Sequence, residues 1–186
     1  MYKRLLLLSL GFCSVFAQVD ANLEVVKKTN ALPKILVSVA TDTLEIETLN
    51  KIKKNLADDL SVSGHFEVVS VNSVTSYENM PDIIGLSNQG INLYLNLSAK
   101  KEADSYTLMT KLYDINSRTL ILEKNFATTQ EDRYVFLAHK AAISTNAFFK
   151  APPIDWMEKF VVFSTYTESG SADIMIGDYT LTYKKR

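Results

Sequence analysis

Hydrophobic and polar residues alternate most regularly between Ile91 and Phe126. Ile91, Leu93, Leu95 and Leu97 are interleaved with Asn92, Tyr94, Asn96 and Ser98, the period of two shown by a strand with one buried face. Tyr106 to Asp114 repeats the pattern, with Tyr106, Leu108, Thr110 and Leu112 on one side and Thr107, Met109, Lys111 and Tyr113 on the other. Thr119 to Phe126 follows after Asn116-Ser117-Arg118, polar residues of the kind that close hairpins. These runs predict a β-meander whose apolar face needs a cover. Tyr94, Met109 and Tyr113 are expected to fill space under the covering helices.

Two stretches change the period to that of a helix. In the first, Asp42 is placed to cap and Glu45 to complete the reciprocal box, after which Leu49, Ile52, Leu56 and Leu60 share a face. Lys51, Lys54, Asn55 and Asp58 turn away, and Gly64 ends the run. It is flanked by Lys34 to Ala40, a continuous apolar run that suits a central strand, and by Phe66 to Val71. Strand, helix and strand with short joins predict a crossover unit. Ser76 to Gly90, divided by Pro81, Gly85 and Gly90, predicts no more than a short helix or turn. The second helix starts after Thr128 or Thr129 as cap, carries Glu131 and Asp132 in its first turn, and offers Tyr134, Leu137, Ala138, Ala141, Thr145 and Phe148 to the sheet.

The fold class expected is therefore α/β, a mixed sheet of about five strands covered by two main helices and spanning 34–150. Pro152-Pro153 marks a link at 151–156. Beyond it, Phe160 to Tyr166, Ile174 to Tyr179 and Thr180 to Lys185 read as a ribbon of two or three strands, marginal by itself. It either packs back on the first domain or begins a longer array.

Composition adds the compartment. Lys3 and Arg4 precede an apolar LLLLSLGFC and the short Ser14-Val15-Phe16-Ala17, the order of a secretory signal (1–17) cut after Ala17 and too short to anchor. Cys13, the single cysteine, follows Phe12 where a lipoprotein signal has a small residue, so neither lipidation nor a disulfide is expected of the exported chain. Stability must come from apolar packing, for which roughly 165 residues suffice. The formal charge of −1 and a longest basic run of only Lys184-Lys185-Arg186 give no nucleic-acid footprint.

Reactive groupings are scarce. His65 stands at a helix-to-strand turn and His139 on the polar side of the second helix, neither with a Cys or second His at metal-ligand spacing; both read as surface or hydrogen-bonded residues. Asp58-Asp59 and Glu131-Asp132 are neighbours on helices, so their carboxylates diverge and read as solvated charge. Gly85 to Gly90 lacks the spacing and the following Lys of a phosphate loop, and no serine lies in a nucleophile elbow. No cofactor is implied, and a scaffold or partner-binding role is the default.

The segment 18–33 is either an unstructured leader or, through Leu23, Glu24, Val25 and Val26, a strand offered to the open sheet edge of a partner. The order of elements, and the runs EDRYVFLAHKAAISTNAFF and DWMEKFVVFSTYTESGSADIMIGDY, resemble the TolB family, the periplasmic component of the Tol-Pal system of Gram-negative bacteria; Arg133 and His139 match polar positions of its helix before the link. The resemblance implies that 34–150 is the family's N-terminal domain and that 157–186 opens a six-bladed β-propeller. It implies a periplasmic, non-catalytic role in outer-membrane integrity and constriction during division. It also implies that Leu23, Glu24, Val25 and Val26 bind the C-terminal domain of TolA, while the propeller binds the lipoprotein Pal. Lys27-Lys28, Asn30 and Pro33 depart from the acidic or glycine residues usual in the family. The rival reading is an exported small-ligand binder or hydrolase, with a pocket at the carboxyl ends of the Lys34 and Phe66 strands.

Overall fold

The computed structural model describes residues 31–41, 46–70, 75–102, 105–166 and 170–186. The signal at 1–17, the partner strand Leu23–Val26 and the capping pair Asp42 and Glu45 lie outside the described residues. Strand β1 (Lys34–Val39) pairs in parallel with β2 (Glu67–Val69) on one side and β3 (Leu93–Glu102) on the other. It is central, with both faces covered, which is why Ile35, Leu36 and Val37 are apolar without alternation and all buried. β3, β4 (Ser105–Asp114) and β5 (Thr119–Thr128) form the antiparallel meander, giving the mixed order β2-β1-β3-β4-β5. Leu95, Leu112 and Leu122 stand opposite one another across it. A bulge then shifts the register so that Tyr113 faces Leu120.

Helices α1 (Ile46–Val62) and α3 (Tyr134–Phe148) cover one face. Leu49, Ile52, Leu56 and Leu60 of α1 are wholly buried against Val37, Leu95 and Leu97, each such leucine or isoleucine contributing about 1.5–3 kcal/mol. Ala138, Ala141 and Ala142 let α3 sit close to the same core. Gly64, at φ 71°, reverses the chain from α1 into β2.

The opposite face carries Leu36, Tyr94, Tyr113, Ile91 and Ile115 under the short helix α2 (Ile83–Asn88), which contributes Leu86. Tyr94 and Tyr113 thus lie under a helix, as expected, but under α2 and not under the two main helices. The period of two forces this, since their neighbours Leu93, Leu95 and Leu112 face α1 and α3. Thr128 caps no helix either. Its hydroxyl accepts the Gln130 N–H at 3.2 Å, and a 3-10 turn (Glu131–Arg133) intervenes before α3. Phe148, expected on the packed face, is exposed.

Past α3 the chain packs back. The Asn146 amide donates to the Pro152 carbonyl at 2.8 Å and its oxygen meets His65 Nδ1 at 2.7 Å, which ties down the link. Ile154 and Met157 enter the main core. A smaller, unclosed sheet follows, β6 (Val161–Tyr166), β7 (Ala172–Gly177) and β8 (Lys184–Lys185), in that order. The expected strand over Thr180 to Lys185 shrinks to Lys184–Lys185 because 178–183 coils around the Asp178 carboxylate, with Leu181 at φ 59°. Val162, Tyr166 and Ile174 of the ribbon remain exposed.

Candidate functional site

The buried carboxylate and imidazole side chains among the described residues, Asp59, His139 and Asp178, gather where α1, α3 and the ribbon meet. The apolar stripe of α1 runs through Ile52 and Leu56 to Asp59, seven residues after Ile52, so Asp59 falls on the buried face while Asp58 faces away. On α3, residues Val135, Leu137, Ala138, His139, Ala141 and Ala142 are all buried, because the sheet packs on one side of the helix and the ribbon on the other. Two expectations fail here. Asp59 is not solvated helix charge and His139 is not on a polar surface; both are fully shielded. Their partners come from the segment after β7.

His139 Nδ1 lies 2.7 Å from Asp59 Oδ2, and the Tyr179 hydroxyl donates to Asp59 Oδ1 at 2.5 Å. On the other side of the ring, Nε2 is 3.5 Å from Asp178 Oδ2, close enough for ionic attraction but without an aligned hydrogen bond. This second contact is electrostatic only. The Asp178 carboxylate is held by donors of its own turn: Oδ1 accepts the Tyr183 N–H at 2.6 Å, and Oδ2 accepts the Thr180 N–H at 2.7 Å and the Thr180 hydroxyl. The imidazole thus stands between two carboxylates, each of which is also held by donors from the segment after β7.

Aromatic rings close the junction. Tyr179 stacks on His139 with centroids 5.1 Å apart and Phe136 meets the same ring edge-on at 5.7 Å. Trp156 packs against Tyr179, and the Arg133 guanidinium lies over Phe160 and Tyr183. Burial first, and then the hydrogen bond to Asp59, push the Tyr179 phenol well above its ordinary pKa of 10.0.

This arrangement holds elements together rather than presenting reactive atoms. Asp59 and Asp178 sit on opposite ring nitrogens of His139 and cannot converge on one ion, and among the described residues no three His, Cys, Asp or Glu side chains form a metal cluster. An adjacent cleft of about 260 Å³ is lined by Arg133, Phe136, Lys140, Glu158 and Phe160, and not by Asp59, His139 or Asp178. His65, the other histidine, is hydrogen-bonded to Asn146. Leu23, Glu24, Val25 and Val26 lie outside the described residues, as do 42–45 and 71–74, which follow the carboxyl ends of β1 and β2 where the rival pocket was expected. No helix of the described residues is long and apolar enough to cross a membrane.

Residues 21–121 match the family model of the TolB amino-terminal domain. The Tol-Pal system protein TolB of Wolinella succinogenes is 40% identical over 183 residues, covering 97% of this chain and 42% of that protein. Its counterpart in Helicobacter hepaticus is 40% identical over 171 residues, covering 90% of this chain and 39% of that protein. The chain thus spans about two fifths of the length of these curated relatives. The crystal structure of TolB from Acinetobacter baumannii superposes with a TM-score of 0.62 at 17% identity, over 83% of this chain and 38% of that one, a likeness of fold. With the family model matching more than half of its length, the chain belongs to the TolB amino-terminal domain family.

Proposed function

We propose that this chain acts as a non-catalytic, periplasmic protein-interaction component of the Tol-Pal envelope system, supporting outer-membrane integrity and constriction during cell division. The observation that carries the reading is the match of 97% of the chain to a protein named for that system. In this reading 1–17 is a signal peptide, 18–33 an extended leader, 34–150 the N-terminal domain, 151–156 a link and 157–186 the start of a β-propeller. Leu23, Glu24, Val25 and Val26 bind the C-terminal domain of TolA by adding a strand to its sheet edge, with backbone bonds supplying affinity and the alternate side chains specificity. Pal is bound through the propeller. The sealed packing of Asp59, His139 and Asp178 supports a role in holding the ribbon on the helices rather than a hydrolytic one, since no substrate reaches a fully buried imidazole.

Calorimetry with the cognate TolA C-terminal domain tests the assignment. Deleting Ala21 to Lys28 is expected to abolish the heat of binding while leaving the thermal transition of the remainder unchanged. Unchanged affinity after the deletion would overturn it.

A further inference from the structure

The face of the sheet turned away from α1 and α3 carries a second feature. A cleft of about 300 Å³ lies between α2 and the β4–β5 turn, lined by Ile83, Ile84 and Ile115 and ringed by Ser87, Asn88 and Arg118. Asn116 completes the rim from the turn. The ring offers hydrogen-bond donors and one cation, and no acid. The nearest acid of the turn, Asp114, is occupied, its Oδ1 accepting the N–H groups of Asn116 and Ser117 at 2.9 and 3.4 Å. Among the described residues, no hydrogen bond or ion pair engages the side chains of Ser87, Asn88, Asn116 or Arg118.

Both walls are held by internal bonds. Asp82 accepts the Gly85 N–H at 3.0 Å, and Leu86 anchors α2 in the core beneath Tyr94 and Tyr113. That packing turns Ile84 outward, 68% exposed, at the cleft's edge, with Met80 exposed nearby in sequence. Arg118 occupies φ 60°, a conformation that glycine or asparagine adopts more readily, so the turn keeps a long cationic side chain at a position whose backbone does not favour it.

We propose that this cleft is a docking site for an acidic, apolar segment of a partner protein. A carboxylate of that segment is received by Arg118, Ser87, Asn88 and Asn116 while a neighbouring aliphatic side chain packs on Ile83 and Ile84. Charge complementarity selects the occupant: arginine and neutral amide and hydroxyl donors match a carboxylate, and the exposed isoleucine matches the aliphatic flank. The site lies on the opposite face of the sheet from the helix–ribbon junction. None of its residues belongs to Leu23–Val26 or to the ribbon.

The test is an amide NMR titration of the full chain with a capped peptide of alternating leucine and glutamate, alongside the same peptide with glutamine for glutamate and inorganic phosphate alone. The acidic peptide is expected to shift the amides of 83–88 and 115–118 and to bind at least about tenfold more tightly than the glutamine peptide, the loss expected when a charge-assisted bond becomes a neutral one. Arg118→Asn, which suits the left-handed turn, should weaken the acidic peptide by a similar factor with an unchanged melting temperature. Ser87→Glu, on the exposed side of α2, should weaken it by repulsion. Shifts confined to other parts of the chain, equal affinity for both peptides, equal binding by Arg118→Asn, or phosphate shifting the same amides as strongly as the peptide would each overturn the proposal.

Discussion

Asp59 and His139 stand 80 positions apart in the chain and share a 2.7 Å contact in the interior, with neither side chain reaching solvent. Asp178 approaches the other side of the imidazole from the ribbon, so His139 is the one basic group between two buried acids. His139→Leu keeps the volume but removes the hydrogen bond that Asp59 shares with the ring, and a buried polar group left without its partner costs about 1–3 kcal/mol. His139→Gln, whose amide still donates to one carboxylate, should lose distinctly less. Urea denaturation gives the magnitudes. Trp156, the single tryptophan, packs on Tyr179 with ring centroids 5.0 Å apart and supplies a local probe. Its emission should shift to longer wavelength in His139→Leu if the ribbon loosens before the core does.

Tyr179 gives the junction a signature at high pH. Burial and then the bond to Asp59 raise its phenol above 10.0, so the folded state prefers the protonated, neutral form more than the unfolded chain does. Its contribution is therefore complete below pH 10 and is lost as the pH rises from there toward the folded-state value. Tyr77 and Tyr113 are shifted upward as well, both chiefly by burial, and act in the same direction. Tyr179→Phe is expected to lower stability at neutral pH, by about 1.5–3 kcal/mol for a hydrogen bond to a charged acceptor, and to flatten the decline above pH 10. Chemical denaturation repeated across that range checks both halves. A variant whose decline matches the wild type would assign the alkaline loss to Tyr77 and Tyr113.

How far the sequence led depends on the distance between partners. The meander was legible because its information is local: Leu93, Leu95 and Leu97 lie two apart, and two residues on is always the same face. The position of Asp59 was also local, since it continues the stripe of Ile52 and Leu56, yet its adjacency to Asp58 hid this behind the expectation of paired surface acids. His139 was not legible at all. Whether the far side of α3 meets water or the ribbon depends on where residues after Pro152-Pro153 go, and an apolar ribbon looks the same whether it folds back or builds outward. The identity of the family came from the order of elements, and the docked ribbon came only from the structure. Leu23–Val26, the segment assigned to TolA, lies outside the described residues and rests on the resemblance.

The cap of α2 offers a cycle whose outcome is set by one short approach. A methyl group at Gly85 would come within 2.3 Å of Asp82 Oδ2, so Gly85→Ala must push the capping carboxylate aside and lose its 3.0 Å bond. That loss, about 1 kcal/mol, is offset by the better helix propensity of alanine, about 0.5–1 kcal/mol. The single variant should therefore sit close to wild type. Asp82→Ala alone should cost about 1 kcal/mol, and the same change in the Gly85→Ala background should cost almost nothing. Thermal denaturation of the four proteins measures the coupling, and additive effects would mean that Asp82 recaps the helix around the methyl group.

β5 ends the strand order with no strand beyond it among the described residues, and a ten-residue edge invites pairing with a second copy. Glu123 and Lys124, both exposed, stand at its middle. When two such edges meet antiparallel about a two-fold axis perpendicular to the sheet, residues facing each other must share a face. A centred register then sets Glu123 against Glu123 or Lys124 against Lys124, never one against the other. Each like-charge pair opposes association by about 0.2–1 kcal/mol. Replacing both, as Glu123→Thr with Lys124→Val, removes the repulsion on both faces and lengthens the run of strand-forming residues that begins at Leu120. Sedimentation velocity should show the double variant self-associating in a concentration-dependent way under conditions where the parent chain does not, with an unchanged circular dichroism spectrum. A double variant that sediments like the parent would mean that the edge is protected by its bulge and twist rather than by charge.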